Sequence, residues 1–422
     1  MECWFEDRLA GRARRLADPV GRIEARARAD LPRVWREIEA ARQAGHWIAL
    51  LLDYELGEWL LPDALGAAPD GPCPAPADDG RPRLTALVFA RAIDGPCWQA
   101  PGDPDPRAGV VSVTPRMARD HYLAAIARLR EQIGAGEQYQ VNYTQPLDVR
   151  IAGAPAALYR RIAARNPVGH AAYIEDGERT VLSFSPELFV ARQGDRLVTR
   201  PMKGTAPRAA DPAEDARLGR ALLASEKDRA ENLMIVDLLR NDLGQLAETG
   251  SVRVDALFTL EQYPTVWTLT STVSARVPAA GLDAVLTALF PCGSITGAPK
   301  IAAMRRIRQM EMAPRGLYCG SIGWLAPDGD FSLNVAIRTL VLDAQGAGVY
   351  HVGGGIVHGS DPANEWDECH WKARILAGVP VAAAPAAGSP SAGPPAAGSP
   401  AAGSPAAGSP AAGSPAAGPP AA

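Results

Sequence analysis

Apolar and polar positions recur along this chain with two periods, and the switches between them divide it into helices and strands. After Asp30, which stands where a helix cap belongs, Leu31, Val34, Trp35, Ile38 and Ala41 repeat at helical spacing until Gly45. The apolar run over 46–52 then reads as a buried strand. Thr114-Pro115 opens another helix, with Tyr122, Ile126, Leu129 and Ile133 inward and the glycines at 134 and 136 stopping it. Period-two alternation takes over in 138–144, where Tyr139, Val141 and Tyr143 point one way and Gln138, Gln140, Asn142 and Thr144 the other. The second face is wholly polar and uncharged, so it is either solvated or lines a polar pocket.

Strand-like segments at 180–184, 188–191 and 196–200, with a turn at Gly194-Asp195, predict a fold-back that sets Glu187 opposite Met202, within a residue of Lys203. Such a couple is either a cross-strand ion pair or a nucleophilic amine beside a proton donor. Helices begin at Asp211-Pro212 and at a capping box of Ser225 and Asp228. On the second of these, Glu231 shares a stripe with Ile235 and Leu238, where a carboxylate needs a basic neighbour or a metal ion.

A short amphipathic helix covers 281–290, and the stretch Gly293 to Lys300 leads into the next helix with Pro299 at its first turn. Backbone N–H groups at such a start can hold an anion; the spacing is not that of a nucleotide-phosphate loop, and a carboxylate suits it. Segments 317–325 and 331–342 read as a hairpin around Asp328-Gly329, with Phe331, Leu333, Val335 and Ile337 inward and Arg338 on the opposite face. A strand over 349–357 runs through Gly353, Gly354 and Gly355, whose missing side chains allow a ligand close to the backbone. In the last helix, begun by Asp361-Pro362, Glu365, Glu368 and Lys372 share one face, a pattern common to surface ion pairs.

The chain has 422 residues, 47% hydrophobic, ample for one large catalytic domain or two smaller ones. A formal net charge of -4 implies neither a nucleic-acid partner nor a membrane surface, and no apolar run reaches the length of a span, so a soluble, cytoplasmic protein is expected. Six cysteines without a C-x-x-C pair suggest neither a zinc site nor a disulfide framework. Pro-, Gly- and Asp-rich stretches at 62–83 and 96–107 read as loops, and Ala-Ala-Gly-Ser-Pro repeats from 386 onward as a disordered tail.

Together the stretches Tyr139 to Asn142, Ser185-Pro-Glu187, Pro201 to Thr205, Ser225 to Asn232, Asp237 to Asp242, Gly293 to Lys300, Ala336 to Thr339 and Gly353 to Val357 resemble the chorismate-utilising enzymes. The resemblance implies an α+β chorismate-binding fold of packed β-sheets with outer helices. It divides the chain into a variable N-terminal region (1–110), a catalytic domain (111–380) and the repeat tail (381–422). Position 203 separates branches of that family. Anthranilate synthases resemble this chain but carry Ala there, the C4-aminating branch carries Lys, and the isochorismate-forming branch has Lys where Gln140 stands.

By that resemblance Lys203 attacks C2 of chorismate while Glu187 protonates the departing C4 hydroxyl, and ammonia then enters at C4. An amine that attacks must be unprotonated, so the Lys203 pKa is expected to be lowered. The same resemblance makes Glu231, Glu365 and Glu368 the ligands of Mg²⁺ and assigns substrate contacts to Gln140, Thr205, Thr296, Gly297, Arg338, Gly354, Gly355 and Lys372. Cys292, in Pro-Cys-Gly, is not in a glutaminase setting, so ammonia is expected from a separate glutamine amidotransferase subunit. Thr268 stands where many members have His, and Met202 where Ile is usual. The readings left beside this one are an anthranilate synthase large component and a non-catalytic chorismate-binding paralogue.

Overall fold

The computed structural model describes residues 1–62, 80–99, 107–263 and 266–377. The loops expected at 62–83 and 96–107 fall largely outside that range, and the repeat tail wholly so.

Among the described residues eighteen strands, every pairing antiparallel, follow one another along a single ribbon. The first are β1 (Glu2–Asp7), β2 (Arg12–Ala25), β3 (Trp47–Leu52), β4 (Leu84–Pro96), β5 (Gly109–Pro115) and β6 (Gln140–Ala152). Then come β7 (His170–Glu175), β8 (Thr180–Ser185), β9 (Leu188–Gln193), β10 (Arg196–Arg200), β11 (Met202–Pro207), β12 (Arg253–Gln262) and β13 (Val266–Arg276). The last are β14 (Gly297–Ala298), β15 (Ser321–Leu325), β16 (Phe331–Val335), β17 (Thr339–Leu342) and β18 (Ala347–Ile356).

In space the ribbon runs β5, β6, β18, β17, β8, β7, β1, β2, β4, β3, β15, β16, β9, β10, β13, with β11 and β12 both on β13. Strands β1 to β4 are thus hydrogen-bonded into the middle of the ribbon. It folds back on itself: Asn334 Nδ2, on β16, donates to His170 O on β7 at 2.9 Å and to Ser183 Oγ on β8 at 3.4 Å. The fold-back explains the apolar run of β3. Ile48, Leu50 and Leu52 face a large core beneath the helices, while Ala49 and Leu51 face a smaller one inside the curl with Phe89, Ile174 and Ile322.

Two chain segments cross between the layers, at 186–187 from β8 to β9 and at 336–338 from β16 to β17. They are bonded to each other. Ser185 Oγ donates to Val335 O at 2.6 Å, Val335 N to Glu187 O at 3.0 Å, and Phe184 N to Arg338 O at 3.0 Å. The segment expected as one strand over 331–342 is therefore broken at Ala336–Arg338, where Arg338 takes φ of 53°.

The helices are α1 (Leu31–Gln43), α2 (Leu56–Leu60), α3 (Arg119–Gly134), α4 (Pro155–Arg165), α5 (Pro212–Ala224), α6 (Glu226–Gly244), α7 (Leu282–Leu289), α8 (Lys300–Met310) and α9 (Pro362–Ala377). Helix α3 buries Tyr122, Ile126, Leu129 and Ile133, but it starts at Arg119, because Thr114-Pro115 completes β5. Asp30 does not cap α1; its Oδ2 accepts from Arg26 N and Ala27 N, closing the turn before it. Asp211 and Ser225 do cap α5 and α6, accepting from Glu214 N and Asp228 N.

Candidate active site

The strand start at Gln140 is flanked by β14 on one side and β18 on the other, with Gly297 opposite Val141 and Gly355 opposite Asn142. Both faces of β6 are buried there, which settles the alternative for the polar face: Gln140 is fully buried, and Asn142 and Thr144 nearly so. The face is anchored from behind. Arg315 donates to Asn142 O at 2.6 Å and to Ile295 O at 3.0 Å, and Glu311 Oε1 accepts from both Thr144 N and Thr144 Oγ1 at 2.9 Å. Neither Glu311 nor Arg315 was foreseen, because the hydrogen bonds they supply are to backbone far away in sequence.

Gly355 turns its missing side chain toward the centre. A Cβ there would lie 2.9 Å from Gln140 Nε2 and 3.2 Å from Lys203 Nζ. Three distant segments thereby meet at one point. Among the described residues neither the nitrogen nor the oxygen of the buried Gln140 amide finds a partner, which leaves a polar group beside the lysine. Lys203 arrives on β11, opposite Leu269 of β13.

Glu187 reaches the same centre from the crossover after β8. The register of β9 with β10 slips between Val198 and Arg200, so that Leu188 faces Arg200 and Glu187 falls one residue short of Met202. The Met202 N–H, at the start of β11, nonetheless lies near enough to favour the charged form of the Glu187 carboxyl. Ser294 Oγ also donates to Glu187 Oε1, at 2.7 Å. Burial pushes the Glu187 carboxyl up to about 7, opposed by Ser294, Lys203 and the Met202 N–H in that order. The Glu187/Lys203 couple is thus buried on its acidic side rather than solvated. Ser294 escaped notice because the stretch around it read only as an anion-holding helix start.

Gly354 faces the other way, toward α9, where a Cβ would stand 2.9 Å from Glu365 Oε2 and 3.6 Å from Glu368 Oε1. Glu368 is held low by Lys372, whose Nζ lies 2.6 Å from Glu368 Oε1 and 2.5 Å from Gly353 O. Glu231, on α6, is pushed up by burial against the pull of Lys203 and Lys227, and Glu368 adds to the push. Glu365 is likewise pushed up by burial, with Ser360 opposing and Glu368 adding. Glu231 has the basic neighbour foreseen as one alternative, Lys227 at 3.9 Å, though an exposed one. Among the described residues no three acidic, imidazole or thiol side chains are close enough to enclose an ion as they stand.

The remaining residues are placed less centrally. Arg338 sits at the second crossover, near enough to help hold Glu368 low. Thr296 is buried with its Oγ1 donating to Cys292 O at 3.1 Å, and Gly297, at φ of 140°, packs against Gln140 O with no room for a side chain. Thr205 is exposed on β11, opposite Thr268, and Thr268 Oγ1 donates to Gly204 O at 3.0 Å. Lys300, at the start of α8, is bound to Asp242 Oδ2 at 2.7 Å and Leu289 O at 3.0 Å, so its charge serves the join between helices.

A folded-back antiparallel ribbon, enclosing a carboxyl beside an amine and a group of glutamates on helices at its edge, defines a class of α+β enzyme. A profile described as chorismate binding enzyme matches residues 2–378, and the chain belongs to that family. It is 46% identical over 263 residues to an aminodeoxychorismate synthase component 1 of Klebsiella aerogenes, covering 62% of this chain and 58% of that one. To an anthranilate synthase component 1 of Streptomyces coelicolor it is 42% identical over 271 residues, covering 64% and 53%. The chain thus spans little more than half the length of these curated relatives. The crystal structure of anthranilate synthase component I from Streptococcus pneumoniae superposes with a TM-score of 0.74 at 25% identity, covering 86% of this chain and 92% of that one.

Proposed function

We propose that the protein is the chorismate-aminating component of an aminodeoxychorismate synthase, converting chorismate and ammonia to 4-amino-4-deoxychorismate. The observation that carries this reading is the placement of Lys203 Nζ beside Gly355 and Gln140, with the buried carboxyl of Glu187 on the adjoining crossover. In the reaction, the unprotonated Lys203 amine bonds to ring C2, both ring double bonds shift by one position, and the C4 hydroxyl departs as water with the proton of Glu187. Ammonia then bonds to C4 and the lysine leaves C2, restoring the ring and the free amine. A carboxyl that titrates near 7 is suited to giving a proton at neutral pH and taking it back.

Glu231, Glu365 and Glu368 would hold Mg²⁺. Their chemistry fits a hard cation: all three donors are carboxylate oxygens, and the charge of Glu368 already weighs on the other two, a repulsion that a divalent ion relieves. When bound, the ion supplies positive charge for the ring carboxylate of the substrate. Arg338, Lys372 and the backbone of Gly354 and Gly355 would take the pyruvyl carboxylate and its surroundings, and Gln140, Thr205, Thr296 and Gly297 line or shape the ring site. Ammonia would come from a glutamine amidotransferase subunit, in keeping with the component naming of the Klebsiella relative.

The similarity to anthranilate synthases supports a second reading, formation of anthranilate. Mass spectrometry of the product made from chorismate, MgCl₂ and ammonium decides between them. A product that a downstream lyase converts to 4-aminobenzoate is expected, and Lys203→Ala should lose on the order of a hundredfold of that activity. Anthranilate as the product, or an unchanged Lys203→Ala rate, would overturn the proposal.

A further inference from the structure

Among the described residues one hydroxyl bonds the Glu187 carboxyl, and no step of the reaction above uses it. Ser294 lies in the turn Gly293–Ile295 between α7 and β14, and both it and Glu187 are buried. Its Oγ donates to Glu187 Oε1 at 2.7 Å. On its other side the Cys292 sulfur is 3.2 Å away. Burial pushes that thiol up to about 12, so it keeps its hydrogen at neutral pH. A serine hydroxyl has a single hydrogen. With that hydrogen committed to Glu187, Ser294 can only accept from Cys292, and the chain of donors runs from Cys292 to Ser294 to Glu187.

A neutral carboxyl carries its proton on one oxygen only. Oε1 already receives the Ser294 hydrogen, and a second hydrogen there would face the first. Building on the reading of Glu187 as proton donor, we propose that Ser294 is a positioning residue that keeps the transferable proton of Glu187 on Oε2. The groups that face the carboxyl are few. Lys203 and the Met202 N–H act on it with Ser294, while Cys292, Cys319 and Tyr263 feel its charge. Of these, Ser294 opposes the effect of burial most, so its removal should keep the proton on Glu187 to higher pH.

The test compares wild type, Ser294→Ala, Ser294→Thr and Glu187→Gln as full-length chains with chorismate, MgCl₂ and ammonium from about pH 6 to about pH 8.5, a range bracketing a carboxyl near neutrality. Rates are divided by wild type at each pH, which cancels the supply of free ammonia. Ser294→Ala should lower kcat on the order of tenfold with little change in KM for chorismate. Its relative rate should climb as pH rises, the pH limb moving up by about one unit. Ser294→Thr, which keeps the hydroxyl, should restore both. A relative rate flat across pH, or a threonine variant no better than the alanine one, would mean that Ser294 only fills space and would overturn the proposal. Glu187→Gln tests the foundation separately: full activity there refutes Glu187 as the donor and this proposal with it. An inactive Glu187→Gln beside a flat Ser294→Ala profile refutes the role of Ser294 alone.

Discussion

At the scale of single residues, Glu187 has two consequences that can be measured separately. Its carboxyl titrates at about 7 in the folded chain against an ordinary value of 4.5, because burial penalises the charge more than Ser294, Lys203 and the Met202 N–H relieve it. If the protonated form does the work, kcat at a fixed concentration of free ammonia falls as pH rises through about 7, and Glu187→Gln is slow and flat across that range. Stability moves in the same direction for a different reason. The folded state keeps a proton that the unfolded chain releases, so the free energy of unfolding drops as pH rises from 4.5 to about 7. The drop is on the order of 3 kcal/mol at most. Chemical unfolding of wild type and Glu187→Gln at pH values across this interval should show the steeper slope in wild type, since Glu55 and other buried carboxyls that are also pushed up add to the slope of both.

Glu365 makes a comparable test of the ion. Glu365→Gln removes one charge from the glutamate group, and calorimetric titration with MgCl₂ should show affinity reduced on the order of tenfold. An unaltered isotherm would take Glu365 off the set of ligands.

At the scale of elements, the triplet in β18 separates packing from function within three consecutive residues. A Cβ on Gly353 would sit 2.3 Å from Tyr143 O and 2.7 Å from Thr144 Cα, atoms of the neighbouring strand that cannot yield. One on Gly355 would meet only the tips of the Gln140 and Lys203 side chains, which can swing aside. Gly353→Ala should therefore cost roughly 1–3 kcal/mol of stability. Gly355→Ala should melt close to wild type yet lose on the order of tenfold or more in kcat, since it displaces the groups that have to be positioned. Melting curves and rates on the two variants check the contrast.

Most of these elements were legible in the sequence, and for local reasons. The turn at Gly194-Asp195, the caps Asp211 and Ser225, and the inward stripe of α3 all depend on residues a few positions apart. The misreadings share the opposite cause. Thr114-Pro115 looked like a helix start until β6 offered a partner strand. The run after Phe331 looked continuous because nothing nearby reveals that it must cross to another layer before Arg338. Of the site, glutamate and lysine positions could be read from motifs, whereas Ser294, Glu311 and Arg315 act through partners more than a hundred residues away or through backbone carbonyls.

At the scale of the whole molecule, the ribbon has no seam at residue 110. β1 pairs with β7 over Glu2 to Glu6, and β3 pairs with β15 over Ile48 to Leu52, so the first strands bridge the two layers that carry the site. A fragment starting at residue 111 should expose the apolar edges of β7 and β15 and fail to fold. Soluble expression with a cooperative melt from such a fragment would contradict that expectation. Among the described residues no helix is long and apolar enough to cross a membrane.

The two crossovers carry a mechanical consequence. Glu187 and Arg338 belong to different connections, but Ser185, Val335 and Phe184 lash those connections together by three hydrogen bonds. Any breathing of one layer against the other must then carry both groups along as a single rigid joint. The spacing between the backbones that carry the Glu187 carboxyl and the Arg338 guanidinium is thereby insulated from movement of one layer against the other.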